Sequence, residues 1–472
     1  MNPLEISPID FRKLVAQVSE LATSYLETLD SLPTFPSTSG EEATALFSTE
    51  LPERGIGMQA LTALNEVTRL SRRQNARFFG YVLGSGEPVG AAADLLASVI
   101  NQNVTAWRSG PAAVTVERTV VGWLAEAIGC PGFRGSLTGG GSPANLMGLA
   151  MAREAKLGAN EKGVAARKRG VVYASQEAHM SIAKSVALLG IGRDNLRLIE
   201  CDSSFRMATS ELDAAIRKDV QAGHVPIAVV ANAGTVNTGA IDPLAAISEI
   251  ARCHGVWMHV DGAYGALAAI AGREKFAGLE LADSMSLDPH KWLYQPLDCG
   301  CLLYRDASAA QRAFAHTGDY AKSLNADPVE GFAFFEESME LSRRFRALKL
   351  WLSLRYHGLE AFRSAIKNDL RHAQRLAAAV EKHPDLELIG SGGLSAVCFR
   401  VRGDKRDASA LNERNAAILR RLIERGNVYL SNATLHGTFC LRACFVNHRT
   451  TDADVDRIIP EVLAAAAECD SN

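Results

Sequence analysis

Between about residues 118 and 305, short apolar runs alternate with stretches of helical period, and this alternation predicts a mostly parallel sheet flanked by crossover helices. The predicted strands are Gly135–Thr138, Val171–Ser175, Leu196–Ile199, Ile227–Ala231, Val256–Val260, Met285–Leu287 and Gly300–Tyr304. Helical stretches at 143–157, 177–189, 207–222 and 243–254 lie between many of them. Ahead of this region, Phe11, Leu14, Val15, Val18, Leu21, Ala22, Tyr25 and Leu26 recur at helical spacing. Such an amphipathic helix needs a partner for its apolar face. The Pro, Thr and Ser of residues 33–40 predict an extended linker, and a helix-rich stretch follows to about residue 73. Further on, Phe362, Ile366, Leu370, Ala373, Leu376 and Val380 mark one face of a helix. Shorter strands are predicted around 395–402, 427–431 and 439–446, then a last helix over 452–468. The pattern divides the chain into an N-terminal helical segment, 1–87, a large α/β domain, 88–362, and a small α+β domain, 363–472.

Composition narrows the class of function. The 472 residues carry a formal net charge of -3, with a hydrophobic fraction of 47%. A well-buried chain so close to neutral has no global field to draw in nucleic acid or an anionic membrane. Small-molecule substrates are the expectation. Nine cysteines, an odd number without a C-x-x-C pair, predict reduced thiols and a cytoplasmic protein and argue against a disulfide framework or a zinc site. The start, MNPLEISPIDFRKL, lacks a basic segment followed by an apolar one, and no apolar run approaches the roughly 20 residues that span a bilayer.

Ligands of open α/β sheets collect beyond the carboxyl ends of the strands, so residues there carry the candidate chemistry. One strand ends in Asp288-Pro289-His290-Lys291-Trp292, where a lysine can point into a cleft. A second, buried one ends in Asp261-Gly262-Ala263; a carboxylate there can keep a pyridine nitrogen protonated, and Ala263 lets a ring lie close to the backbone. A third leads into Gly139-Gly140-Gly141-Ser142 at the start of a helix, which suits a phosphate. Neither G-x-G-x-x-G nor G-x-x-x-x-G-K-[ST] fits this turn, which disfavours a dinucleotide or a nucleoside triphosphate. His179, just after a fourth strand, can stack on a ring and exchange protons near neutral pH, and Thr235 follows a fifth. Each has an ordinary structural reading as a turn or cap residue. Their gathering on one sheet edge is the signal.

In this order the motifs resemble those of the group II pyridoxal-phosphate (PLP)-dependent amino-acid decarboxylases, and they are most similar to the aromatic-L-amino-acid decarboxylase branch. The resemblance spans nearly the whole chain and rests on His259-Val260-Asp261-Gly262-Ala263-Tyr264, Asp288-Pro289-His290-Lys291-Trp292 and Leu341-Ser342-Arg343-Arg344-Phe345-Arg346-Ala347-Leu348-Lys349. The tryptophan after the lysine favours this branch over the glutamate decarboxylases, which usually have methionine there. It implies the α/β fold of the aspartate-aminotransferase type (type I), with a mostly parallel seven-stranded sheet, and a homodimer with active sites at the interface. In the family the N-terminal segment packs on the partner subunit, which would cover the apolar helix face. By the same resemblance Lys291 carries PLP as a Schiff base and Asp261 pairs with the pyridine nitrogen. Ala263 and His179 sandwich the ring, Gly141, Ser142 and His290 hold the phosphate, and Thr235 lies near the substrate carboxylate or a cofactor oxygen.

The chain departs from the family pattern at three places. The loop tyrosine that the family uses for protonation is replaced, counting back from Arg343, by Phe334, and a small shift would bring Tyr320 there instead. In relatives, loss of that tyrosine accompanies aldehyde formation in place of simple decarboxylation. The usual asparagine before Pro-His-Lys is Asp288, a charge beside a phosphate. In the substrate pocket Tyr81 matches, but Val82, Asn103 and Thr105 are smaller or more polar than the aromatic-specific pattern. The expected activity is decarboxylation of an L-amino acid, with an aromatic side chain, to the amine and carbon dioxide. The alternatives are an aldehyde synthase, an aminotransferase or lyase on the same fold, and a catalytically silent PLP-binding protein.

Overall fold

The computed structural model describes residues 2, 4–164, 169–316, 327–403 and 407–471; Tyr320 lies outside them. Seven strands form the large sheet: β1 (Arg134–Thr138), β2 (Gly170–Ser175), β3 (Leu196–Ile199), β4 (Val225–Asn232), β5 (Trp257–Asp261), β6 (Ser284–Leu287) and β7 (Gly300–Tyr304). Their order is β1-β7-β6-β5-β4-β2-β3. Strands β3, β2, β4, β5 and β6 pair in parallel, while β7 runs antiparallel to both β6 and β1. Every predicted strand of this sheet is present. Helices cover both faces, so the central strands are enclosed: β2, β5, β6 and β7 are buried at every position, their few polar side chains included. Cores on the two faces are built around Val229, Val260 and Leu303 on one side and Val172, Val230 and Leu302 on the other.

The smaller sheet is antiparallel, in the order β10-β11-β9-β8, from β8 (Leu386–Gly390), β9 (Ala396–Val401), β10 (Ser431–Leu435) and β11 (Thr438–Cys444). Two expectations are corrected. Strand β8 was not predicted, because Leu-Glu-Leu-Ile follows a helix so closely that it reads as its tail. The strand expected at 427–431 forms only from Ser431; ahead of it Tyr429 exchanges backbone hydrogen bonds with Arg77 and Phe79 instead. A helix over Ala347–Lys382 links the two sheets and breaks at Gly358, whose φ of 75° only glycine adopts without strain.

The N-terminal helix, Pro8–Thr28, is capped by Ser7, whose hydroxyl accepts from the Asp10 amide at 3.1 Å. It buries no residue, and Ile9, Phe11, Val18 and Leu26 remain 39–64% exposed. At about 1.5–3 kcal/mol per large apolar side chain removed from water, this stripe is a strong incentive for association.

Candidate active site

Strands β4, β5 and β6 end on the same edge as the approach to β7, and a cavity of about 510 Å³ opens there. Its wall includes Gly141, Ser142, His179, Asp261, Ala263, His290 and Lys291, with Tyr81 and Val82 at another side. A larger cavity of about 730 Å³, lined by Trp123, Leu354 and Leu359 among others, holds none of these groups. Converging chemistry, not volume, marks the site.

Asp261 is the last residue of β5 and 6% exposed. One of its oxygens accepts from Asn145 Nδ2 at 2.9 Å, the other from Ser286 Oγ at 3.1 Å and the Ala263 amide at 3.2 Å. Behind Asn145 the hydrogen bonds run in one direction. Trp257 Nε1 donates to Ser284 Oγ, so that hydroxyl donates to His259 Nδ1; His259 Nε2 then donates to Asn145 Oδ1, and the Asn145 amide is turned toward Asp261. Burial drives the His259 pKa down to about 4, against the pull of Asp261, so the ring is neutral and the chain is uncharged up to the carboxylate.

The Asn145 amide also donates to Ser181 Oγ at 3.1 Å, which leaves that hydroxyl to donate to His179 Nδ1 at 2.9 Å. His179 caps the helix Met180–Leu188 and therefore carries its hydrogen on Nε2. Burial lowers its pKa, opposed by Asp261. A neutral imidazole is held at the cavity wall.

At the end of β6 the turn Pro289–Trp292 carries Lys291, whose Nζ donates to Asp288 Oδ2 at 2.8 Å. His290 Nδ1 donates to the Cys299 carbonyl at 2.7 Å, and burial lowers its pKa, partly offset by Asp288. Facing this turn, the helix Gly141–Leu157 begins at the glycine-rich turn. A Cβ at Gly141 would come within 2.6 Å of the Ala263 methyl and 3.1 Å of Asp288 Oδ2, so only glycine keeps that space open. These residues fit a phosphorylated pyridine aldehyde: a lysine amine, a carboxylate with its donors in place, a neutral imidazole, and a bare turn with Ser142 at a helix start.

A model of the pyridoxal-dependent decarboxylase conserved domain matches residues 59–402. The chain belongs to the pyridoxal-dependent decarboxylase family. It is 33% identical to an aromatic-L-amino-acid decarboxylase of Bacillus atrophaeus over 98% of this chain and 97% of that relative. An L-2,4-diaminobutyrate decarboxylase of Rhizobium meliloti is 36% identical over 89% of this chain and 85% of its own. A 4-hydroxyphenylacetaldehyde synthase of Rhodiola rosea is 29% identical over 97% and 94%. The solved structure of Oryza sativa TDC with PLP and tryptamine superposes with a TM-score of 0.92 at 26% identity, covering 99% of each chain. The enzyme is thus a PLP-dependent amino-acid decarboxylase with the type I fold expected from its motifs.

Four expected site residues do not reach the cavity. Thr235 is 1% exposed; its hydroxyl bonds to Thr238 Oγ1 at 2.9 Å and accepts from the Ala240 amide, while the neighbouring Gly234 and Val236 line the wall. Asn103 accepts from the Arg343 amide at 2.9 Å, and the Thr105 carbonyl accepts from the Phe335 amide. Phe334 is fully buried, with the Arg343 guanidinium 4.2 Å from its ring centroid. Conversely, Asn145 and Arg442 line the cavity and were not anticipated. Arg442 is held by the carbonyls of Tyr81, Val236 and Asn237. Nothing in the run Phe439-Cys440-Leu441-Arg442 separates it from any strand arginine.

Proposed function

We propose that this decarboxylase acts on an aromatic L-amino acid and releases the corresponding amine. The observation that carries the substrate class is Tyr81 on the cavity wall, with Tyr429 and Phe78 buried behind it. Tyr81 lines the cavity and its hydroxyl meets that of Tyr429 at 3.1 Å, while Phe78 stacks on Tyr429 with centroids 4.9 Å apart. Such a surface attracts a flat apolar side chain through its area and its edge-to-face contacts.

In this reading Lys291 would hold the cofactor covalently, Asp261 would meet its pyridine nitrogen, and Ala263 and His179 would pack against the ring. Gly141 and Ser142 would hold the phosphate, with the His290 ring packed beside it. Bound PLP supplies a protonated pyridine that takes up the electron pair left when carbon dioxide departs. The chain of donors behind Asp261 fixes that carboxylate before substrate arrives, so no reorganisation is needed as charge develops. Arg442 provides the positive charge that draws in and orients the substrate carboxylate. His179 offers Nε2–H, the one hydrogen its own contacts leave unused. The apolar stripe of helix Pro8–Thr28 supports a homodimer, in which a partner subunit covers it. The free cysteines fit a reducing cytoplasm. Among the described residues no helix is long and apolar enough to cross a membrane.

Phe334 favours a second reading, an aldehyde product, since counting back from Arg343 puts a phenylalanine where the family's sequences have the loop tyrosine, although its ring packs under Arg343 outside the cavity. Product analysis decides. Holoenzyme in air with L-tryptophan, L-tyrosine, L-phenylalanine or L-2,4-diaminobutyrate should release carbon dioxide and amine in equal amounts from the aromatic substrates, with no oxygen uptake. Aldehyde, ammonia and oxygen consumption would establish the second reading. Preferential turnover of diaminobutyrate would overturn the aromatic assignment. Lys291→Ala should lose both turnover and the adduct fixed by borohydride.

A further inference from the structure

Asp288 stands where the family keeps a neutral amide, and its surroundings are unlike those of any other carboxylate in the cleft. It is 3% exposed. Oδ2 accepts from Lys291 Nζ at 2.8 Å and lies 3.6 Å from His290 Nε2. Oδ1 is buried without a hydrogen-bond partner among the described residues. The open oxygen faces the glycine-rich turn: a Cβ at Gly140 would lie 4.0 Å from Oδ1, and one at Gly141 3.1 Å from Oδ2. The carboxyl therefore borders the space assigned to the cofactor phosphate.

The groups around it leave one cation for its charge. Burial keeps His179 and His290 below the ordinary histidine range, with Asp288 itself pulling the other way. It raises the thiols of Cys299, to about 12, and Cys301, so both are neutral. The Asp261 oxygens have their own donors. Asp298, beside Gly139, is paired with Arg344 and Arg346, which outweigh burial and hold its carboxyl below the usual range. Arg346 is shared between Asp298 and Glu340. The glycine turn itself has no charged side chain. Among the described residues Lys291 alone remains to pair with Asp288, since the Arg346 guanidinium near Gly139 is held by Asp298 and Glu340, and a lysine that anchors the cofactor no longer serves Asp288 as a free ammonium. His290 offers nothing in exchange: its Nδ1 hydrogen goes to Cys299, so the neutral ring presents a bare Nε2 toward Asp288.

We infer that Asp288 takes up a proton when the phosphate of PLP binds and donates it from Oδ1 to a phosphate oxygen, so that cofactor capture by this enzyme is coupled to pH. The inference rests on the assignment of the glycine turn as the phosphate site. A buried carboxylate beside a phosphate dianion is unfavourable twice, through repulsion and through lost hydration; a carboxylic acid in the same place turns an orphan acceptor into a donor. An asparagine would donate without any proton and would make capture less sensitive to pH.

The test is the pH dependence of cofactor affinity, read by absorbance or fluorescence on apo-enzyme titrated with PLP from about pH 6 to about 8.5. Uptake of one extra proton makes the dissociation constant rise up to about tenfold per pH unit relative to Asp288→Asn. The phosphate's own ionisation is common to both proteins and cancels in the ratio. Asp288→Asn also removes the partner that Lys291 Nζ meets at 2.8 Å, so the change it makes through Lys291 is read from the pyridoxal titrations and subtracted. Pyridoxal, which lacks the phosphate, should show that change alone, and the slope difference between the two proteins should be larger with PLP. Calorimetry of the unsubstituted enzyme in buffers of different ionisation enthalpy provides a measure that needs no variant: PLP should take up about one more proton than pyridoxal. Parallel PLP slopes for the two proteins, or equal proton uptake for PLP and pyridoxal, would overturn the role of Asp288. Failure of both proteins to bind PLP at any pH would overturn the cofactor site itself and this inference with it. If PLP bound well but an equal slope difference appeared with pyridoxal, Asp288 would answer to Lys291 alone, and the phosphate contact would be wrong.

Discussion

Two aspartates face the same cleft from neighbouring strand ends, Asp261 at the end of β5 and Asp288 just after β6. Asp261 has donors on both oxygens, the last of them the end of a chain that begins at Trp257. Asp288 has one oxygen on Lys291 and one without a partner among the described residues. A charge whose donors are fixed in advance keeps its place and sign when a ligand arrives, which suits a group that must meet a pyridinium. A charge left half-served responds to the ligand instead. One cleft thus contains a preorganised carboxylate and an adjustable one, made from the same residue type by different neighbours.

The comparison can be broken most strongly at Asp261. Asp261→Asn keeps the shape but removes the charge, and turnover should fall by roughly 10²–10³-fold while PLP still binds; steady-state kinetics beside a cofactor titration checks this. Unchanged turnover would mean that the donor chain serves packing alone. His259 sharpens the same point through stability. Its folded pKa, about 4, lies below the ordinary 6.5. The unfolded chain therefore binds a proton that the folded one refuses, and its contribution is complete above about pH 6.5 and lost as pH falls toward 4. The loss amounts to about 3 kcal/mol for this group, and denaturant melts of the unsubstituted enzyme and His259→Gln across that range should converge at the acid end. A constant difference between them would remove His259 from the account. The smallest effect is expected at Asn145→Ala, which frees one donor from His259 and one acceptor site on Asp261. Turnover should drop about tenfold, with a stability loss of about 1–3 kcal/mol. An equal effect from Asn145→Asp would show that the direction of the hydrogen bonds does not matter.

Much of the large sheet was legible because buried parallel strands are apolar runs closed by turn residues, and the chemistry sits where those runs end. Lys291, Asp261 and His179 could be placed on one edge for that reason. The small sheet was less legible. Its strand β8 follows the helix Ala347–Lys382 after three residues, and its neighbour at 427–431 was drawn away by the backbone of Arg77 and Phe79. In the site, Thr235 bonds within its own turn, to Thr238 and the Ala240 amide, because a threonine there meets backbone as readily as a ligand. Phe334 packs under Arg343, a contact that no local pattern encodes.

What the amino-acid sequence alone determined is the order of strands, turns and reactive side chains, since period and turn chemistry are local and survive in one dimension. The tertiary structure decided which polar atoms meet. Asn145 stands 114 residues from His259 and 116 from Asp261, yet its amide lies within 2.9 Å of both and gives the chain its direction. Asp288 is a charged residue at a strand end in either view, but that one of its oxygens is buried without a partner among the described residues follows only from the packing of the glycine turn, the Pro289–Trp292 turn and the approach to β7 around it. Hydrogen bonds act over about 3 Å and depend on angle, so partners brought together by the fold carry information that spacing along the chain does not.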